Sequence, residues 1–467
     1  MYGVNFYLFS TKDGKSFGKR KFDRSRKRGR KLKIESDNSK MNRKADWILA
    51  LALFSLFFGA GNLILPPQLG LRSGSSWWLT GMGFSISAVL IPMLGILAHA
   101  RLQGSMFDFA RKMSPAFSLV YCYLVYGISI ALPAPRTASV THEMGIAPFL
   151  GTDSLWTSLV YFALVYLLVI NRSRITPLIG KFLTPAILLV LLLLIGSVLW
   201  QDPGKPGTAF LEHPLSAGIL EGYQTFDAIG AVVVGGVILI SLNLEYPDLD
   251  TRQRFLHISR AGWMAGLGLL LLYAGLIFSG ALLQGEFPQE LSRTELLRGI
   301  STWALGTSGN AFLSILISLA CFTTAVGIVT GTSDFVQSRF GGSIAAYRIT
   351  ALVGCILGVL MGQLPVDYII AVALPALMFI YPLTISLILL NALPETWTPQ
   401  PVFRGVVFTT LLFSVPDFLG SLGLPAPGNW LEGWWPLQAY QMGWVIPSLF
   451  VFAAGSLYLR AKAAPGK

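Results

Sequence analysis

The chain has 467 residues, of which 53% are hydrophobic and only 12% are charged. Soluble domains are usually about 25% charged, so this composition excludes an ordinary soluble enzyme and an intrinsically disordered protein. The formal net charge is +12, but residues 1–44 alone carry fifteen Lys and Arg against four Asp and Glu. The rest of the chain is therefore nearly neutral.

The basic tail, residues 1–44, is predicted to be disordered and cytoplasmic. Its densest part, residues 24–33, has the composition of a nucleic-acid patch or nuclear signal. The favoured interpretation is a segment that lies on anionic lipid headgroups, so lipids and not nucleic acid are the expected partner. A translation start at Met41 instead of Met1 is the alternative, because Arg43 and Lys44 would then form a short basic leader.

Twelve apolar segments follow, each near the roughly 20 residues that a helix needs to cross a bilayer. They cover residues 47–65, 79–98, 116–132, 155–170, 183–200, 222–242, 261–283, 311–333, 349–364, 368–393, 405–424 and 442–459. A membrane barrel would show alternating segments of about ten residues, which uncharged runs such as 261–283 contradict. The sequence predicts an all-α integral membrane protein with twelve transmembrane helices.

The Lys and Arg residues between the segments predict the orientation. With the N-terminus inside, and counting from residue 41, 17 basic residues lie inside and 5 outside. Both termini are therefore predicted to be cytoplasmic. The four histidines, His99, His142, His213 and His257, fall in the polar connections, and the three cysteines are widely spaced. Neither a buried haem ligand nor a zinc site is expected.

The first segment contains glycines where a membrane helix should be continuous. Phe58-Gly59-Ala60-Gly61-Asn62 interrupts it near its middle. Glycine costs about 1 kcal/mol in a helix relative to alanine, although it also lets membrane helices pack closely. Two glycines around one residue, followed by a polar amide, favour a functional break over close packing.

The sixth segment has a second interruption, where Asp227 precedes Gly230 and Gly235-Gly236. For Gly235-Gly236, close packing is the favoured interpretation. Segments one and six are five helices apart and run in opposite directions, which is the arrangement of a five-plus-five inverted repeat with broken helices at the bilayer midplane. Unwound backbone frees carbonyls for a cation, and the following half-helix points its N–H groups at an anion.

Other polar residues lie within the predicted segments. Asp227 is a candidate functional acid, with pairing to a neighbour near the outer mouth as an equal alternative. Asp417 follows Pro416 and is interpreted as part of a frayed outer helix end. Thr323-Thr324 lie in an uncharged helix, where hydroxyls usually bond to the preceding turn. A functional role for these two hydroxyls is favoured only when they are considered together with the break in segment one.

In chain order, these motifs resemble those of the branched-chain amino acid:cation symporter family (BrnQ-type) over residues 46–459. The residues that carry the resemblance are Phe58-Gly59-Ala60-Gly61-Asn62, Pro66-Pro67, Pro135-Arg136-Thr137-Ala138, Gly145-Ile146-Ala147-Pro148, Gly222-Tyr223, Thr225, Asp227, Gly230-Ala231, Ala320-Cys321, Thr324-Ala325-Val326-Gly327 and Ile380-Tyr381-Pro382. The basic tail departs from the family pattern. The family is similar to transporters with the leucine-transporter fold, which implies a five-plus-five inverted repeat with two further C-terminal helices.

The resemblance also implies two binding sites. The residues implied for a sodium ion are Ser55, Phe58 and Ala320 through their carbonyls and Thr323 and Thr324 through their hydroxyls. The residues implied for an amino acid substrate are Ala60, Gly61, Asn62, Tyr123, Phe226, Asp227, Ala228 and Gly230. The substrate carboxylate would meet the amides around Ala60 and Gly61, and its ammonium group would meet freed carbonyls and Asp227. Arg136 either lines the pathway or extends to the outer surface.

The resulting prediction is a cell-membrane transporter that imports leucine, isoleucine or valine by Na⁺-coupled symport with alternating access. The alternatives are an H⁺-coupled symporter that uses Asp227 and a transporter of another small zwitterion. An enzyme is not expected, and no obligate protein partner is inferred. The two repeats are expected over residues 45–200 and 201–393, and the last two helices and a short cytoplasmic C-terminus over 394–467.

Overall fold

The computed structural model describes residues 43–171, 175–247, 249–424 and 437–463. The basic tail lies outside the described residues except for its last two positions. Within these ranges the chain is all-helical and contains no strand. The predicted all-α class is confirmed.

Eighteen α-helices make up the described part of the chain. They are α1 (Arg43–Phe57), α2 (Ala60–Ser73), α3 (Trp77–Ser85), α4 (Ile91–Leu102), α5 (Met106–Ala110), α6 (Pro115–Ala131), α7 (Pro133–Thr141), α8 (Ala147–Leu150), α9 (Ser154–Ile170), α10 (Ile175–Gln201), α11 (Pro214–Tyr223), α12 (Asp227–Glu245), α13 (Thr251–Leu282), α14 (Arg293–Arg339), α15 (Ile344–Gly362), α16 (Val366–Ala392), α17 (Gln400–Ser421) and α18 (Val445–Ala463). Two π-helical turns, Ile86–Leu90 and His142–Ile146, continue α3 into α4 and α7 into α8.

By length and composition, eight helical stretches among the described residues could cross a membrane. Four shorter apolar helices accompany them: Ala45–Phe57, Ser154–Ile170, Asp227–Gly236 and Val445–Leu459. Every one of the twelve predicted segments overlaps one of these stretches or shorter helices. The chain is therefore a multi-pass membrane protein, while the number of twelve spans and the inverted repeat stay predictions.

Several helices extend beyond the predicted segments because neighbouring helices cover them. The first segment continues through α2 to Ser73, and the sixth begins with α11 at Pro214. Glycines allow these extensions to pack against their neighbours: a Cβ at Gly70 would lie 1.9 Å from the Ile277 carbonyl oxygen of α13. A Cβ at Gly218 would lie 2.1 Å from the Thr80 carbonyl oxygen of α3. Small residues at such contacts let membrane helices approach closely.

The eighth segment is also longer than predicted, because α14 includes a kink. Its helical residues extend from Arg293 to Arg339, with Gly306 at φ 72° between its two parts. That left-handed backbone is open to glycine at little cost. The part after Gly306 contains Thr323 and Thr324.

Three predictions about polar residues were wrong. His99 is buried in α4, where its ring nitrogens lie 3.1 Å from the Gly104 carbonyl and 2.8 Å from the Val232 carbonyl. His257 is buried in α13 and its Nδ1 lies 2.6 Å from an oxygen of Asp46 in α1. Asp417 is buried inside an intact α17 and accepts a 3.3 Å bond from the Gly443 N–H. In each case a polar partner satisfies the buried group, which makes its position tolerable.

Candidate functional site

The first helix break lies between α1 and α2. The last bond of α1 joins the Phe58 N–H to the Phe54 carbonyl at 2.9 Å, and Gly59 is extended with φ −115° and ψ −175°. The carbonyls in the final turn of a helix have no partner in the ladder. The predicted break is therefore present but short, since Gly61 and Asn62 already belong to the first turn of α2.

The second break lies between α11 and α12, at residues 224–226. Phe226 has φ 62°, and α12 begins at Asp227. The break therefore precedes Asp227 and does not lie at Gly230, which is inside the continuous helix α12. Gly235 is helical, and a Cβ there would lie 2.3 Å from the His99 ring, in agreement with the close-packing interpretation.

The two breaks meet through Asn62 and Asp227. The Asn62 side-chain amide donates to an Asp227 carboxylate oxygen at 2.6 Å, and it also donates to the Tyr273 hydroxyl of α13. All three residues are buried. A buried acid requires such hydrogen-bonding partners, so this contact fixes the start of α2 against the start of α12.

Arg136 of α7 lies between the two breaks. It is only 4% exposed, and its Nη1 donates to the Gln224 carbonyl oxygen at 2.7 Å. Its guanidinium carbon is 5.3 Å from the centre of the Phe226 ring, and a Cβ at Gly61 would lie 2.6 Å from Nη2. The interpretation that Arg136 extends to the outer surface is therefore wrong.

The residues implied for a sodium ion flank the first break. A Cβ at Gly59 would lie 4.0 Å from the Thr324 hydroxyl oxygen, so the break faces the middle of α14. The Thr323 and Thr324 hydroxyls both donate to the Ala320 carbonyl, at 3.0 and 2.9 Å. The Ser55 hydroxyl bonds to the Thr184 hydroxyl of α10 at 2.7 Å, which leaves its carbonyl as the candidate ligand.

Tyr123 is a predicted substrate residue that the structure does not bring to this site. Its ring packs against Phe335, with ring centres 5.2 Å apart. Phe335 is eleven residues after Thr324 in α14, or about 16 Å along a helix. Ala228 is buried in the first turn of α12, and a Cβ at Gly230 would have no atom within 4 Å.

The structure adds three residues to the site that were not among the predicted binding residues, although Thr225 belongs to the motif that carries the family resemblance. Tyr273 contacts Asn62 from α13, Gln224 offers its carbonyl to Arg136, and the Thr225 hydroxyl accepts the Asp227 N–H at 3.3 Å. Gln224 and Thr225 are consecutive polar residues within an apolar segment, and this signal could have located the second break. Tyr273 carries no such signal.

Known proteins resemble the chain along most of its length. The family profile described as "Branched-chain amino acid transport protein" matches residues 42–462. The branched-chain amino acid transport system 2 carrier protein of Pseudomonas aeruginosa is 33% identical over 410 residues, which are 85% of this chain and 92% of the relative. The branched-chain amino acid permease BrnQ of Corynebacterium glutamicum is 33% identical over 422 residues, 89% of this chain and 95% of the relative.

The fold is also similar to that of a solved structure. It is a Na⁺-coupled sialic acid symporter, which matches with a TM-score of 0.53 and 11% identity over 88% of this chain and 89% of the solved one. The relatives are named as carriers and permeases, so the prediction that the protein is not an enzyme is confirmed. The chain belongs to the branched-chain amino acid transport protein family.

Proposed function

We propose that this protein imports leucine, isoleucine or valine across the cell membrane by Na⁺-coupled symport with alternating access. The observation that carries the proposal is the contact between the two helix breaks, where Asn62 donates to Asp227 at 2.6 Å in a buried position. Irregular backbone survives in a membrane where it lines a cavity or is buried in protein. A meeting of two breaks is the arrangement expected around a transported ligand.

The local chemistry suits a zwitterion. The first turn of α2 supplies N–H groups without helical partners, and such groups favour an anion. The Asp227 carboxylate and the carbonyls of the second break favour a cation. An α-amino acid carries both charges a few ångströms apart, so its carboxylate would lie on the α2 side and its ammonium group on the α12 side. Ala60, Gly61, Phe226, Ala228 and Gly230 would surround it.

The proposed sodium ion would lie between α1 and α14. Carbonyls of Ser55, Phe58 and Ala320 and hydroxyls of Thr323 and Thr324 would provide oxygen ligands, which hard cations take. The approach of Gly59 to the Thr324 hydroxyl supports this position. Sodium bound there would tie α1 to α14 and stabilise the outward-open state. The solved Na⁺-coupled symporter provides a precedent only at the level of the fold.

The proposed architecture has twelve spans in a five-plus-five inverted repeat with two further helices, and both termini in the cytoplasm. Breaks in the first and sixth segments support the repeat. The excess of Lys and Arg between segments on one side supports the orientation. Cysteine labelling of single-cysteine variants in sealed cells tests it, and a periplasmic or extracellular C-terminus would overturn it.

Uptake of radiolabelled leucine into proteoliposomes tests the proposed function. An inward Na⁺ gradient is expected to drive accumulation, and a pH gradient without Na⁺ is expected to drive none. Accumulation driven by pH alone would select the H⁺-coupled alternative with Asp227 as the proton carrier. Failure to transport any branched-chain amino acid would favour another zwitterion.

A pair of threonine variants tests the sodium site. Thr324→Ala is expected to raise the Na⁺ concentration needed for half-maximal uptake about tenfold, since it removes an oxygen ligand worth roughly 1.5 kcal/mol. Thr332→Ala is the matched control, because its hydroxyl makes a similar 2.9 Å bond to the preceding turn of the same helix. An equal Na⁺ dependence in both variants would place the ion elsewhere.

A further inference from the structure

Arg136 carries a buried charge that makes no direct ion pair within the described part of the protein. Among the described residues, no carboxylate oxygen lies within about 4 Å of this guanidinium, which is the distance limit for an ion pair. The partly buried Arg293 of α14 shows the usual solution, since it contacts Glu221 at 2.8 Å and Asp367 at 2.5 Å. A buried cation without an ion-pair partner is costly. An anion from outside the chain would therefore stabilise Arg136 in this position.

The surroundings of Arg136 suit a carboxylate. A guanidinium has five N–H donors, and the bond to the Gln224 carbonyl uses one of them. Its Nη2 lies beside Gly61, in the first turn of a fourteen-residue helix whose initial N–H groups attract anions. The guanidinium and the start of α2 therefore both provide positive potential at the same point. The negative charge of Asp227 lies at the start of α12, where it contacts Asn62.

We propose that Arg136 binds the α-carboxylate of the substrate and makes the transporter select ligands that carry this group. This inference rests on the proposed function and deepens it. The planar guanidinium can bind a carboxylate through two parallel bonds, and the N–H groups of α2 would bind the same oxygens. A ligand without the carboxylate would leave the buried cation unpaired.

Binding to purified protein in lipid nanodiscs tests the inference by calorimetry in saturating Na⁺. Leucine and leucinamide share a side chain and an ammonium group, but leucinamide lacks the negative charge. The unaltered protein is expected to bind leucine at least about 30-fold more tightly, because charge-assisted bonds are worth roughly a tenfold to hundredfold change in affinity. In Arg136→Gln this ratio is expected to fall to about threefold or less. Arg293→Gln, the control for removing a partly buried arginine that is paired within the protein, is expected to keep it.

Two results would overturn the inference. One is equal binding of leucine and leucinamide by the unaltered protein, which needs no variant and so decides the question even if Arg136→Gln does not fold. The other is an Arg136→Gln protein that loses affinity for both compounds equally, as a purely structural role would require. Failure of the proposed function would look different, because the unaltered protein would then bind no leucine.

Discussion

The two helix breaks lie against each other but are built from different residues. The first contains Gly59 and is followed two residues later by Gly61, whereas Gln224, Thr225 and Phe226 of the second include no glycine. Gly59 is extended, a conformation that any residue adopts, while Phe226 has a left-handed φ of 62°. The residue whose backbone conformation is energetically costly is therefore a phenylalanine. The glycines of the first break are not needed for a left-handed backbone.

The difference shows that a helix can be interrupted by the absence or by the presence of side chains. At the first break, Gly61 leaves room for the Arg136 guanidinium, which a Cβ would meet at 2.6 Å. At the second, polar side chains bond to unwound backbone: Arg136 donates to the Gln224 carbonyl, and Thr225 accepts the Asp227 N–H. Bonds to such buried backbone groups compensate for the missing helical ladder.

The largest expected effect comes from removing the charge that joins the breaks. Asp227→Asn keeps the shape of the side chain but removes the proposed partner of the substrate ammonium group. Leucine affinity is expected to fall about tenfold to hundredfold, since bonds to charged groups contribute about 1.5–3 kcal/mol. Binding to purified protein at saturating Na⁺ measures this. Unchanged affinity would show that the second break contributes only backbone groups to the site.

Adding a methyl group at the first break should have the next largest effect. Gly61→Ala is expected to weaken leucine binding about tenfold, because overpacking costs roughly 1–3 kcal/mol and the methyl group would displace Arg136. Gly331→Ala in α14 is the matched control, since its Cβ would meet no atom within 4 Å and it lies outside the proposed binding sites. An equal loss of leucine affinity in both variants would show that the contact with Arg136 does not explain the glycine at position 61.

Gly235 of α12 provides a third test, in which the substitution is expected to change stability and not leucine binding. In Gly235→Ala the Cβ would meet the His99 ring at 2.3 Å. The free energy of unfolding is expected to fall by about 1–2 kcal/mol from overpacking, partly offset by the better helix propensity of alanine. Thermal unfolding in detergent measures this loss. A lower leucine affinity with unchanged stability would instead make Gly235 part of the site.

The sequence was sufficient to predict the main features of the fold and the first break. Long uncharged runs have few alternatives to membrane helices, and all twelve predicted segments overlap apolar helices. The Gly59 to Asn62 cluster located the first break within two residues, because glycine and a polar amide rarely occur together at membrane depth. These signals are local, so they are visible in the chain before it folds.

Features that depend on contacts between distant helices were not predictable in this way. His99 was assigned to a polar connection and Arg136 was left between the pathway and the outer surface, yet each is buried against backbone carbonyls of the sixth segment. Half-helix α11 has only ten residues, too few to be recognised as a span, and it packs closely on α3. The second break was misplaced because the residues that unwind, Gln224, Thr225 and Phe226, are polar or bulky and include no glycine.

The smallest expected effect concerns a single hydroxyl at the second break. The Thr225 hydroxyl donates to the Gly222 carbonyl at 2.8 Å and accepts the Asp227 N–H at 3.3 Å. Thr225→Val keeps the shape but leaves the Asp227 N–H, at the start of α12, without this acceptor. A lost helix cap costs about 1 kcal/mol, so leucine affinity is expected to fall roughly fivefold.

The control for this change is Thr332→Val in the unbroken part of α14. Its hydroxyl donates to the Ile328 carbonyl at 2.9 Å, and this carbonyl retains the ordinary helical bond when the hydroxyl is removed. Its leucine affinity is therefore expected to stay within twofold of the unaltered protein. Equal effects of the two substitutions would mean that the hydroxyl of Thr225 does not hold the break open. The left-handed Phe226 would then have to be maintained by the packing of its ring beneath Arg136 alone.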